Sequence, residues 1–161
     1  MPVDPEEMRL AMRQWTTGVS IVSAATPADR HGMTVSSFSS LSLDPPLVAV
    51  SLERWRRAHS LVEQTDHFGV TILRSEQQDL SDHFAGRNTE LSDRFAGVET
   101  FTLVSGAPLL VSGLAAFDCH VIYRYEAGTQ TVFIGEVLAV RIGAGGAPLV
   151  YHNRGYRSLQ E

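Results

Sequence analysis

Apolar and polar positions change period several times along the chain, and each change marks an element. Asp4-Pro5-Glu6-Glu7 is a helix start, with Asp4 as N-cap, Pro5 at the first helical position and Glu7 near the positive end of the helix dipole. Met8, Ala11, Met12 and Trp15 follow at helical spacing, a stripe read as core packing, and the helix stops by Gly18. From Val19 the period shortens: residues 19–24 and 33–38 are β-rich, and the turn formers of 27–32 between them predict a hairpin. Asp44-Pro45-Pro46 sets the start of a short apolar run, 47–52, suited to a buried strand.

Residues 57–64 are predicted as a short helix with Leu61 and Val62 inward, and 68–73 as a strand. Two more polar helices are predicted at 76–85 and 90–95, stopped by Gly86 and Gly97 and decorating the sheet. Two long β-rich stretches, 114–125 and 131–142, are joined by residues 126–130 and pair as an antiparallel hairpin. No strand-helix-strand alternation builds a parallel sheet, so an antiparallel barrel is expected, since closure removes exposed edges. With 161 residues the chain reads as one domain, 1–161.

Composition narrows the function classes. A net charge of −5 argues against a nucleic-acid binder. No apolar run reaches the roughly 18 residues of a membrane span, and the start lacks a signal-peptide pattern, so a cytoplasmic location is expected. The single Cys119 reads as a small buried hydrophobe, and none of the six His stands at a metal-ligand spacing with Cys or another His. There is no G-x-G-x-x-G fingerprint and no G-x-S-x-G elbow.

Four segments carry candidate chemistry. Residues 32–40 hold five hydroxyls in nine positions, a lining for a flat heteroaromatic ring or an ordinary polar edge strand. Glu53-Arg54-Trp55-Arg56-Arg57-Ala58-His59 joins a strand end to a helix start, which is either a phosphate site or a basic surface turn. Phe84-Ala85-Gly86-Arg87 puts an aromatic and a cation at a helix end, where a helix cap with a solvated Arg serves equally well. Tyr151-His152-Asn153-Arg154-Gly155-Tyr156-Arg157 groups aromatics with cations, for stacking and phosphate pairing or as a docked tail.

In order along the chain, Trp15-Thr16-Thr17-Gly18-Val19, the long block 32–46, Phe68-Gly69-Val70, Gly106-Ala107-Pro108, Phe133-Ile134-Gly135-Glu136-Val137 and Pro148-Leu149-Val150-Tyr151 resemble the flavin reductase-like family. These are the short reductase components of two-component flavin-dependent monooxygenases. The resemblance implies a mainly β fold, the antiparallel, Greek-key-like FMN-binding split β-barrel with a few short peripheral helices. It also implies a homodimer holding FAD or FMN near the subunit interface.

By the same resemblance the flavin would meet Met33, Thr34, Val35, Ser36, Ser37 and Ser40 along its ring, and Ser51, Leu52, Glu53, Arg54, Arg56, Arg57 and Ala58 at its phosphate. Phe84, Ala85, Gly86 and Arg87 complete the flavin set, and Gln130, Tyr151, His152, Tyr156 and Arg157 form the nicotinamide set. Catalysis itself would need no protein nucleophile and no metal, because the flavin takes the hydride. The implied activity is reduction of flavin by NADH or NADPH and supply of reduced flavin to a partner monooxygenase. The alternatives are a flavin- or haem-binding carrier or sensor on the same barrel and, more weakly, a pyridoxamine-phosphate-oxidase-like enzyme.

Three departures from the family pattern, at four positions, stand out. Arg56 and Ala58 stand where Ser and Thr commonly hold the phosphate, with the neighbouring arginines expected to substitute charge-assisted bonds. Gln130 stands where His is usual, and so cannot be a cation. Thr71 replaces a frequent Asn and is expected to be a packing detail.

Overall fold

The computed structural model describes residues 1–87 and 92–160. In chain order its elements are α1 (Pro5–Met12), β1 (Thr17–Gly18), β2 (Ser20–Ala25), β3 (Arg30–Val35), β4 (Ser39–Leu43), β5 (Pro46–Glu53), α2 (Arg57–Thr65) and β6 (His67–Ile72). Then follow α3 (Gln78–Phe84), β7 (Thr100–Phe101), β8 (Leu109–Leu110), β9 (Ala115–Ala127), β10 (Gln130–Ile142), β11 (Val150–His152) and β12 (Gly155–Arg157). The expected hairpins, β2–β3 and β9–β10, are both present and antiparallel. The second turns in only two residues, with the positive φ of 60° on Gly128, where a mirror-image turn requires it.

Seven strands form one antiparallel sheet in the order β3-β2-β6-β9-β10-β5-β4. The long hairpin is its spine. Residues 115–120 of β9 carry β6 and, beyond it, β2 and β3, whereas residues 130–136 of β10 carry β5 and β4. Register shifts at Ile134/Gly135 and Val137/Ala139 bend the hairpin. The sheet curls until Val35 of β3 shares a core with Val48 and Val50 of β5.

The curl stops short of a hydrogen-bonded barrel. Strands β3 and β4 remain the outer edges, and the gap is spanned by a side chain: Ser37 Oγ lies 3.1 Å from both the N–H and the carbonyl of Ser51. This is the split form that the resemblance implies, in place of the closed barrel that removal of edges alone suggested, because β3 and β4 are not paired with each other.

Alternation along β2 sends Val22 and Ala24 into one core with α2, and Ile21, with Val19 just before the strand, into a second one beneath α3. That second core holds Phe84 and Phe95, both essentially fully buried, so the segments expected to decorate the sheet in fact cover its other face. Of the expected helix 90–95, residues 90 and 91 lie outside the described residues, and 94–97 form a turn ending at Gly97. Two glycines of the resembling blocks are explained by close approach. A Cβ on Gly32 would lie 2.8 Å from the Phe95 ring, and one on Gly135 2.7 Å from Phe68.

The α1 stripe is the clearest correction. Asp4 caps the helix by accepting from the Glu6 N–H at 2.8 Å, as its sequence implies. Yet no α1 residue is buried, and Met8, Met12 and Trp15 stay 53%, 48% and 68% exposed. Cys119 is buried in the first core, and burial pushes its thiol up to about 12, so it stays protonated at neutral pH. Thr71, expected to be a packing detail, is buried on β6 and ties β8 to it by accepting from the Leu110 N–H at 3.1 Å.

Candidate functional site

Strand β3 pairs on one edge only, with β2, which leaves its other edge available. Along that edge and the loop leaving it lie three cavities, of about 620, 240 and 850 Å³. Thr34 and Ala85 belong to both the first and the second, and Val35, Ser36 and Tyr151 to both the second and the third. They therefore form one cleft that follows residues 33–38. Four of the block's five hydroxyl residues, Thr34, Ser36, Ser37 and Ser39, line it.

The hydroxyls divide by task. Thr34 Oγ1 donates to the Ser81 carbonyl at 2.6 Å and ties α3 to β3. Ser37 is used in the bridge to Ser51. Ser36, exposed at the junction of two cavities, has no protein hydrogen-bond partner among the described residues. Ser40 lies on β4 opposite Val48 and lines none of the three cavities.

The 620 Å³ end is cationic. Trp55, Arg56 and Arg57 wall it where α2 begins, and it is also lined by Arg94, which the sequence pattern did not single out and which donates to the Gly32 and Phe84 carbonyls at 3.1 and 2.9 Å. No side chain caps α2, and Ala58 in its first turn offers nothing beyond its buried methyl and backbone, so its first N–H groups have no side-chain acceptor. Arg56 and Arg57 are already matched with carboxylates. Arg56 Nε donates to Glu53 at 2.6 Å, while Arg57 pairs with Asp29 and donates to the Ser92 carbonyl at 3.1 Å. The Arg57 guanidinium holds the Asp29 carboxyl below its ordinary range.

Arg54 points elsewhere, to Glu126 at 3.2 Å near the tip of the long hairpin. Leu52 is a core residue that lines none of the three cavities, and Ser51 lines the 850 Å³ one and not this end. Phe84 supports the cavity wall from the second core, and Gly86, with φ 71°, ends α3.

At the 240 Å³ centre Tyr156 Oη donates to Asp82 at 2.6 Å and contacts Ser81 Oγ at 2.8 Å. Burial, and then the bond to Asp82, push its phenol up. Arg87 donates to Asp82 at 2.9 Å and pairs with the Tyr151 side chain, which pushes the guanidinium further up. Tyr151 and Tyr156 pack edge to face, 5.7 Å between centroids. A polar wall of fixed geometry results.

The expected nicotinamide set is split. Tyr151 and Tyr156 line the cleft, but Arg157 bonds to the carbonyl of Tyr156, and His152 lines none of the three cavities. Gln130 sits at the end of β10 opposite Glu53 and lines none of them either.

The 850 Å³ end was the least legible, because its walls come from α1, β1 and the β11–β12 turn, remote in sequence. Arg13 Nε and Thr17 Oγ1, on two of its lining residues, are buried without a hydrogen-bond partner. Trp15, Asn153 and Arg154 share the wall. Among the described residues no group of three or more His, Cys, Asp or Glu side chains could hold a metal, and no helix is long and apolar enough to cross a membrane.

A family model described as a flavin reductase like domain matches residues 12–160. An NADH-dependent flavin reductase of a Rhodococcus species is 36% identical over 161 residues, covering 98% of this chain and 88% of the relative. The reductase component of 4-hydroxyphenylacetate 3-monooxygenase from Thermus thermophilus is 36% identical over 154 residues, 96% of either chain. The solved NADH:FAD oxidoreductase of Streptomyces globisporus superposes with a TM-score of 0.91 at 28% identity, covering 100% of this chain and 98% of that one. The chain thus belongs to the flavin reductase like family.

Proposed function

We propose that this protein reduces FAD or FMN with NADH or NADPH and passes the reduced flavin to a partner monooxygenase. The observation that carries the reading is the continuous cleft along residues 33–38, ended by an uncapped helix N-terminus flanked by Arg56 and Arg57. These groups fit a flavin: an anion suits the α2 N–H groups, and the free Ser36 hydroxyl suits a ring edge rich in acceptors.

In this reading the α2 terminus, Arg56 and Arg57 bind the phosphate, and Thr34 holds α3 against β3 so that the cleft keeps its width. Ser36 bonds the ring edge, while Tyr151 and Tyr156 provide a rigid wall that excludes water. The nicotinamide enters the 850 Å³ end beside Tyr151, where the unpartnered Arg13 and Thr17 atoms await polar groups. The flavin supplies the redox chemistry by accepting a hydride, and the protein contributes alignment.

A second copy of the chain covers the exposed apolar face of α1, giving a homodimer, and the protein works in the cytoplasm as a single domain. Anaerobic NADH added to the protein with FAD or FMN tests the activity through loss of the flavin's visible absorption. No oxidation of NADH above background with either flavin would remove the proposal.

A further inference from the structure

FMN ends at its phosphate, whereas FAD continues into a second phosphate, a ribose and an adenine. A site that distinguishes them must therefore do so beyond the phosphate cradle. In this cleft the 620 Å³ cavity that shares Thr34 and Ala85 with its neighbour is also lined by Arg56, Arg57 and Trp55. Trp55 is 65% exposed and, among the described residues, makes no hydrogen bond or ring contact. A lone exposed indole is ordinary by itself. An indole beside two guanidiniums and an uncapped helix terminus is the pairing that recognises a nucleoside diphosphate, with cations for the phosphates and a flat face for the base.

The charge balance sharpens the point. Arg56 and Arg57 are each already paired, with Glu53 and Asp29, so a phosphate must compete with a carboxylate for either guanidinium. Charge alone then holds the nucleotide less firmly than two unpaired arginines would, and base stacking supplies a larger share of the binding.

We infer that Trp55 is a specificity-determining residue that stacks on the adenine of FAD and makes the protein prefer FAD to FMN. The inference rests on the flavin reading of the cleft. The test is calorimetric titration of flavin-free protein with FAD and with FMN, for the wild type, Trp55→Ala and Trp55→Phe. Because the indole is exposed, neither substitution disturbs a core.

The expected result is a Kd for FAD raised on the order of tenfold in Trp55→Ala, within the range for base–aromatic stacking, with FMN affinity unchanged and Trp55→Phe close to wild type. Equal weakening of FAD and FMN, or an unchanged ratio, overturns it. So does a raised KM for NADH, measured with FMN as acceptor, alongside unchanged FAD affinity, since the indole would then serve the adenine of the nicotinamide nucleotide. Wild-type protein that binds neither flavin defeats the reading of the cleft itself, a result separable from a lost preference.

Discussion

Helices α1 and α2 carry similar apolar patterns and meet opposite fates. Helix α1 has the better start, an Asp4 cap and Pro5, yet buries nothing. Helix α2 has no side-chain cap, yet buries Ala58, Leu61 and Val62 against the curled sheet. Tertiary packing, more than local capping, is what holds a short helix in place. A helix secured by its face can leave its N-terminus uncapped, and in α2 that free end faces the cleft.

The contrast is tested most strongly on the buried side. Leu61→Ala should cost about 2–5 kcal/mol of stability in denaturant unfolding, the usual range for emptying a core position. If it costs as little as a surface change, α2 is not anchored by its face.

Next come the two hydroxyls that look alike in sequence. Thr34→Val removes the bond that ties α3 to β3 and should cost about 1 kcal/mol. Ser36→Ala should leave stability within about 0.5 kcal/mol and lower flavin affinity in the same titrations. Equal behaviour of the two variants would erase the distinction between a structural and a binding hydroxyl.

On the exposed side, Met12→Ser combined with Trp15→Ser should leave the stability of the monomer within about 0.5 kcal/mol, while shifting sedimentation from dimer to monomer. An intact dimer would move the interface away from α1.

The smallest effect concerns pH. Arg30 donates to both oxygens of Asp93 and holds its carboxyl below the ordinary value. This stabilisation is fully present above the unfolded carboxyl's pKa and is lost as pH falls through the lower folded value. For a pair this exposed it amounts to less than about 1 kcal/mol. Melting curves between about pH 5 and pH 3 should therefore fall slightly less for Asp93→Asn than for wild type.

Local signals were legible wherever the determining groups are neighbours in sequence. The Asp4 cap, the turn at Gly128, the stop at Gly86 and the inward Leu61 and Val62 all depend on residues a few positions apart. Partnership across the fold was not legible. Nothing local says that Arg54 turns to Glu126, that Arg57 is matched by Asp29, or that Gln130 lies opposite Glu53 and outside the cleft. Nor does helical spacing say whether Met12 and Trp15 meet a core, since periodicity records that one face is apolar and not what covers it.

By itself the sequence determined the six longer strands other than edge strand β4, the two hairpins and a hydroxyl-rich segment next to an arginine-rich one, because periodicity, turn chemistry and composition act over short range. Only the tertiary structure decided that the sheet stays split and that Ser36 rather than Thr34 or Ser37 keeps a free hydroxyl. It also set Trp55 beside Arg56 and Arg57 in the lining of the cleft. Each of these depends on which distant groups satisfy one another when the chain closes, and hydrogen bonds and ion pairs choose partners by position in space.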